Sequence, residues 1–477
     1  MLRDVTPLSE PLKHSTVRKD RAIGSFLEFV EQKLGRQFLV DTDDLPSENP
    51  EVSGIARALR HAGIIGKCTS TGLFFDEPPI AQWRIAYKQG ATFQTAGGMS
   101  VDNSERAFVP ALAEALERHI WGDESDYFIT PRTGTAREAE GWGKIVAPER
   151  FAGFSDKQRQ ENPRLTLSSN AEYLWIQGRS LVHEAPVWLP AQVASGFYGS
   201  RVNHQKVKEP MILVPITTGL ATGETREDAL LGGMLEIVER DAFMITWLNQ
   251  LTPPRLNLSA AAKTRPSLAR LLDICARYRL EVDVALLPTD VPTHAVCAVV
   301  RDRHGGPEVT VGLNAHFLVG KAAEGAILEA LRARQTIRMR EKRGNRDAEK
   351  EKSSIYHLER AEYWARNGRH TLLQFLFGGA ETTPKSPWDS DTVSQHYRRL
   401  VAWCREKEYE CAAVDLGRSA KNVTPWHIAM VVVPEMQPMH QSERFPYLGG
   451  RRLKEVPDQL GYPSRPKPFM EEPHPFA

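Results

Sequence analysis

Apolar positions along this chain recur with two periods, and the alternation between them is the first thing to interpret. Helical spacing runs from about residue 104 to 121, again over 226–248, and again over 321–341. Between the last two, EVDVALLPTD (281–290), HAVCAVVRD (294–302) and EVTVGLNA (308–315) alternate or run apolar with β-branched residues, which predicts three strands. ECAAVDLG and WHIAMVVVP (426–434) supply two more, and PVWLPAQVASGFY and PMILVPITTGLATG are expected to be strands or buried segments. Strands alternating with long helices predict an α/β layered (mixed α+β) domain. Ahead of it, Ile23, Phe26, Leu27, Phe29, Val30 and Leu34 give helical spacing to residues 21–35. After the break DTDDLPSENPEV, GIARALRHAGII reads as a second short helix, so a small extension is expected over residues 1–75. Residues 122–170 are polar and turn-rich and are expected to be irregular. The last stretch, GYPSRPKPFMEEPHPFA (461–477), is too rich in proline for a helix or a central strand and must lie extended.

Two of the helices carry an unusual polar strip. At about 100° per residue, Leu112, Ala113, Leu116 and Ile120 cover a broad face of the first, and Glu114, Glu117 and Arg118 share a narrow one. In the second helix Leu230, Leu231, Met234, Leu235, Ile237, Val238, Ala242, Met244 and Ile245 leave only Glu236, Glu239 and Arg240 as a polar strip. A helix apolar nearly all round is a buried helix. Charge there is costly unless answered, and one arginine per strip leaves a second carboxylate uncompensated. A hard divalent cation such as Mg2+, shared with nucleotide phosphates, is a natural neutraliser. The alternative is ordinary: Glu and Arg four apart pair by roughly 0.2–0.5 kcal/mol on any helix. Spacing alone leaves both open.

Composition changes the picture only by exclusion. The chain has 477 residues, 41% hydrophobic and 25% charged, and 61 basic against 60 acidic residues leave +1. That is a folded protein with no global attraction to nucleic acid or an anionic membrane. The longest apolar runs fall far short of the roughly 18 residues a membrane span needs, and the N-terminus has no signal-peptide core, so a cytoplasmic protein is expected. Five scattered cysteines contain no C-x-x-C pair and suggest reduced thiols rather than a disulfide frame.

Other chemistry is thin. Thr225 can cap the second long helix with Asp228 completing a capping box, and exposed amides there would also suit phosphate. There is no P-loop, no H-E-x-x-H and no G-x-S-x-G. His119 and His474 are expected to be structural or surface residues.

TTGLATGETREDALLGGMLEIVERDAFMITWLNQLTPPRLNL resembles the signature stretch of YcaO-domain proteins, particularly those of thiazole/oxazole peptide maturation. ALAEALERHIW after AGGMS looks like that family's first glutamate motif, and AAEGAILEALRARQTIR (322–338) like its third. VPEMQP, YLGGRRL and the final PHPFA are similar to its C-terminal segments, so the likeness spans about residues 85–477. It implies a YcaO-type ATP-binding fold: a catalytic domain over 76–460 and a tail, 461–477, reaching the active site. Glu114, Glu117, Glu236 and Glu239 would be ligands of Mg2+ or its shell, Arg240 and Arg334 would face the phosphates of ATP, and Glu329 and Asp228 would belong to the same pocket. The implied reaction is ATP-dependent cyclodehydration, in which Cys, Ser or Thr of a ribosomal precursor peptide becomes a thiazoline or oxazoline. The α-carboxylate of Ala477 would assist proton transfer, with Pro473 and Pro475 stiffening the approach.

The sequence departs from the family pattern at several points. It ends in Ala477 where proline is usual, has Met99 where lysine is frequent and Asp228 for glutamate, and carries Gly232 and Arg332 at positions often polar. The resemblance further implies a homodimer and a separate leader-binding partner resembling ubiquitin-activating enzymes, since residues 1–75 are too short to hold one. A flavin dehydrogenase in the same complex also belongs to the implied set. Backbone thioamide or amidine formation, or a non-catalytic peptide-presenting scaffold, are the alternatives.

Overall fold

The computed structural model describes residues 45, 49–70, 77–122, 130–196, 209–304, 306–342, 352, 355, 358–365, 369–417, 424–462 and 468–476. The helix expected over 21–35 and the terminal Ala477 lie outside them. In chain order the elements that frame the molecule begin with α1 (Pro50–His61), β1 (Ile65–Ser70), β2 (Ala81–Gln89), β3 (Thr92–Ser100), α2 (Ser104–Gly122), β4 (Arg132–Thr135), β5 (Glu172–Ser180), β6 (Pro186–Pro190) and β7 (Leu220–Gly223). They continue with α3 (Arg226–Asn249), β8 (Arg255–Leu256), α4 (Pro266–Arg277), β9 (Leu280–Leu287), β10 (His294–Asp302), β11 (Val309–His316) and α5 (Val319–Lys342). Last come α6 (Leu358–Trp364), β12 (Glu381–Thr382), α7 (Val393–Glu406), β13 (Ala412–Asp415), β14 (His427–Val432) and α8 (Arg452–Gln459).

The described strands form three sheets, ordered β1-β2-β3, β11-β10-β9-β8-β12 and β4-β5-β13-β14-β7, with β6 paired to β5. Each long helix covers a sheet. Helix α2 lies over β2 and β3, α5 over β10 and β11, and α3 is wedged between β7–β14 on one side and β10–β11 on the other. That wedge explains why α3 is apolar nearly all round: Ala242, Phe243, Met244 and Ile245 are fully buried in succession. Burying each large one contributes roughly 1.5–3 kcal/mol.

Local sequence decides where these helices start and how closely they approach. Asn49 caps α1, accepting from the amides of Glu51 and Val52, with Pro50 at its first position. Thr225 and Asp228 form the expected capping box of α3. Gly98 lets α2 settle on β3, since a Cβ there would meet the Ala107 carbonyl at 2.3 Å.

The predicted strands at 281–290, 294–302 and 308–315 correspond to β9, β10 and β11, and the three long helices match to within a few residues. Two expectations need correction. The irregular excursion contains β4, which pairs antiparallel with β5. The boundary at residue 75 falls inside one sheet, because β1 pairs with β2 across it.

One buried ion pair fastens the framework. Asp241, fully buried on α3, accepts from Arg452 of α8 at 2.8 and 2.7 Å and from the Gln437 amide at 2.7 Å. Arg452 also donates to Asp290 at 2.8 Å.

Candidate active site

The polar strips of α2, α3 and α5 turn toward a common cleft of about 830 Å³. Its wall includes Glu114 and Arg118 from α2, Arg240 from α3, Glu329 and Arg332 from α5, and Gln82 and Arg84 from β2. Three glutamates are held in the same way. Glu114 accepts from the Gly97 amide at 3.1 Å, Glu236 from Gly219 at 2.8 Å and Glu329 from Leu313 at 2.8 Å. The donors lie 17, 17 and 16 residues earlier, because in each case the chain runs out along or beside a strand and returns over it as a helix. Gly219 makes its contact from positive φ (93°), with no room for a Cβ against the Val431 carbonyl at 2.2 Å. Glu117 reaches another sheet and accepts from the Thr222 amide of β7 at 2.6 Å.

Arginines answer part of this charge. Arg332 donates to Glu114 at 3.0 Å and lies 3.7 Å from Glu329. Arg118 lies 3.8 Å from Glu114 and donates to the Thr217 hydroxyl. Arg240 pairs with Glu239 and, at 3.4 Å, with Glu236. Five carboxylates thus face three guanidinium groups. Burial raises Glu114, but Arg332, Arg118 and the Gly97 amide outweigh it and hold its pKa below the usual range. Glu117 has less help: burial, then Glu114 and Glu236, push it up to about 8 against Arg118 and the Thr222 amide. Glu239 is likewise raised to about 8 by burial, Glu329 and Glu236, although Arg240 opposes. Burial raises Glu329 as well, against Arg240, Arg332 and the Leu313 amide.

A divalent cation fits what remains. The uncompensated groups are carboxylate oxygens, the ligand type Mg2+ requires. Beside Glu117 the buried Thr222 hydroxyl has no hydrogen-bond partner among the described residues. Glu114, Glu117, Glu236 and Glu239 are therefore brought together, with Glu329 beside them and Arg240 among them.

Two expected residues are elsewhere. Arg334 is buried away from the cleft, donating to Glu77 at 3.0 and 3.2 Å and pairing with Asp302 at 2.8 Å. At about 100° per residue it points well off the line of Glu329, whereas Arg332, three residues on from Glu329, shares its face. Helical spacing pointed to Arg332, which the sequence comparison had marked only as a departure. Asp228 is a cap: its Oδ2 accepts from the Thr225 amide at 3.0 Å and hydroxyl at 2.6 Å.

The tail does reach the site. Trp364 donates to the Pro473 carbonyl at 2.9 Å, and Pro475 and Phe476 line the cleft. Arg240 sits 4.1 Å over the Phe476 ring. His119 is buried and hydrogen-bonds the Lys88 carbonyl at 2.6 Å, a structural role. All five cysteines are buried and none forms a disulfide. Among the described residues no helix is long and apolar enough to cross a membrane.

With this arrangement in hand, residues 101–437 match the model of the YcaO cyclodehydratases, a family described as ATP- and Mg2+-binding. The chain belongs to the YcaO family. A YcaO from Methanopyrus kandleri bound with AMPPCP and Mg2+ matches at a TM-score of 0.54 and 20% identity, over 81% of this chain and 91% of that one. A heterocyclase in complex with substrate and cofactor matches at a TM-score of 0.70 and 19% identity, over 89% of this chain and 57% of that one. The E. coli microcin synthetase McbBCD complex with pro-MccB17 bound matches at 0.55 and 13% identity, over 78% and 88%. An uncharacterized protein of Methanothermobacter thermautotrophicus is 24% identical over 261 residues, 54% of this chain and 62% of the relative, so the YcaO chain spans under two thirds of that relative.

Proposed function

We propose that this YcaO protein is an ATP-dependent cyclodehydratase that converts Cys, Ser or Thr of a ribosomal precursor peptide to an azoline. The observation that carries the reading is a cluster of five mutually interacting glutamates, of which Glu114 and Glu329 line the cleft and Glu117 and Glu239 are pushed up to about 8. Glu114, Glu117, Glu236 and Glu239 would hold Mg2+, with Glu329 beside them. Bound ATP would supply the phosphoryl group that carries off the amide oxygen.

The chain's own residues would do the rest. Phosphoryl transfer needs positioning and charge neutralisation more than covalent help, and rigid buried helices provide both. Arg118, Arg240 and Arg332 would offer guanidinium donors to the charge that develops on the phosphates. Pro475 and Phe476, which line the cleft, would help exclude water from the reacting amide. The reading includes a homodimer and a separate leader-binding partner, with a flavin dehydrogenase as a further subunit. The multisubunit microcin synthetase to which the chain is similar supports partner subunits.

The test is reaction of the chain with ATP, Mg2+, a Cys-, Ser- and Thr-containing peptide and its partner. Each ring should cost one water and release one phosphate, and Glu236→Gln should lower phosphate release on the order of 100-fold, as loss of a metal ligand does. Exchange of amide oxygen for sulfur would assign thioamide formation instead. Absence of phosphate release, unchanged by Glu236→Gln, would leave a peptide-presenting scaffold.

A further inference from the structure

Beside the cleft, where the tail crosses the body, lies a second group of ligating side chains. His440 and Glu443 stand three residues apart, and His474 comes from the tail. One ligand atom from each lies within 4.8 Å of the others. His440 and His474 are 2% and 0% exposed, with ring centroids 4.9 Å apart.

The hydrogen bonds define which nitrogens can bind. His474 Nε2 faces the His440 carbonyl at 2.9 Å, so it carries the proton and donates. Its Nδ1 is then a bare lone pair, and burial holds the ring neutral, well below its usual pKa. His440 Nε2 faces Glu443 Oε2 at 3.0 Å. Burial would raise Glu443, but His440 and Arg360 outweigh it and keep the carboxylate ionised, so it accepts. The Nδ1 atoms of both histidines are buried and have no hydrogen-bond partner among the described residues. A buried polar atom left unsatisfied costs roughly 1–3 kcal/mol, so the lone pair of His474 Nδ1 calls for a ligand.

We infer that His440, Glu443 and His474 form a binding site for a Zn2+-class divalent cation that fastens the C-terminal tail to the body. Two imidazoles and one carboxylate suit zinc, with water completing four-coordination, whereas Mg2+ takes oxygen ligands. The His474 N–H bond to a backbone carbonyl is the kind of contact that orients metal-bound histidines. Arg360 donates to Glu443 Oε1 at 2.6 Å and to the His440 carbonyl at 3.1 Å, so the cation would take Glu443 Oε2 and His440 Nε2, which now bond each other, with His474 Nδ1, the His440 ring proton shifting to its Nδ1. His474 lies between Pro473 and the cleft-lining Pro475, so a cation here sets how far the tail reaches toward Arg240. This site stands whatever reaction the cleft performs.

The full chain, stripped with a chelator and given Zn2+ alone in the presence of excess Mg2+, should retain one equivalent after gel filtration. His474→Ala and His440→Ala should lose it, and Glu236→Gln should keep it. Co2+ in the same chain should give a ligand-field spectrum without thiolate charge transfer. Equal zinc in wild type and folded His474→Ala, no retained metal, or a cobalt–thiolate band would each overturn the site. Should the histidine variants fail to fold, the wild-type cobalt spectrum decides.

Discussion

Glu117 on α2 accepts a hydrogen bond from the Thr222 amide of β7 at 2.6 Å, although α2 lies on a different sheet. The bond carries one acidic strip across to the strand that leads into the other. It leaves Glu117 beside Glu114 and Glu236 with no arginine in direct contact among the described residues, and its pKa is pushed up to about 8.

Proton release on Mg2+·nucleotide binding follows. Glu117 and Glu239 both hold protons below about pH 8 in the metal-free protein. A cation needs the ionised form, so binding should tighten as pH rises and level off above about 8. Calorimetry in buffers of different ionisation enthalpy should show release at pH 7, and Glu117→Gln should reduce it.

The stability of the metal-free protein should run the other way. A carboxyl whose folded pKa is raised binds its proton more tightly in the native state, so stability falls as pH rises from the unfolded value toward about 8. Denaturant midpoints between pH 5 and 8 (an interval of about 3 units) should decline less steeply in Glu117→Gln than in wild type.

Arg332 and Arg334 should separate function from stability. Arg332→Ala should weaken nucleotide use by roughly 10–100-fold, in line with loss of a charged partner in the site, with a small change in Tm. Arg334→Ala leaves Glu77 with Arg338 alone and Asp302 without its Arg334 partner, at a cost of about 3–5 kcal/mol. Urea unfolding and phosphate-release kinetics on both variants check the contrast.

Asp241→Ala should cost a similar 3–5 kcal/mol, because Arg452 is left charged inside the protein with Asp290 alone. The double variant Asp241→Leu with Arg452→Met should recover part of the loss in urea midpoints.

Phe476→Ala removes the ring under Arg240. The ring is also buried in the core, so its loss should cost about 3–5 kcal/mol and lower Tm too. Turnover should fall more than nucleotide affinity, read as a drop in kcat at nearly constant KM for ATP.

The local features were legible in residues taken one helix at a time. Thr225 and Asp228 announced a cap, and Glu236, Glu239 and Arg240 on an otherwise largely apolar helix announced a buried polar strip. Arg332 was legible too, since three residues from Glu329 is the same face, but the family pattern drew attention to Arg334 instead. Asp241 was not legible as a structural anchor, because its partner Arg452 lies 211 residues away and no local period connects them.

The sequence by itself determined which helices are buried, where they begin and which of their faces are acidic, because periodicity and capping act over a few residues. Only the tertiary structure decided which acids share a cleft, which arginine answers them and where the tail ends. Those outcomes depend on how α3 wedges between two sheets, a packing of surfaces contributed by segments hundreds of residues apart.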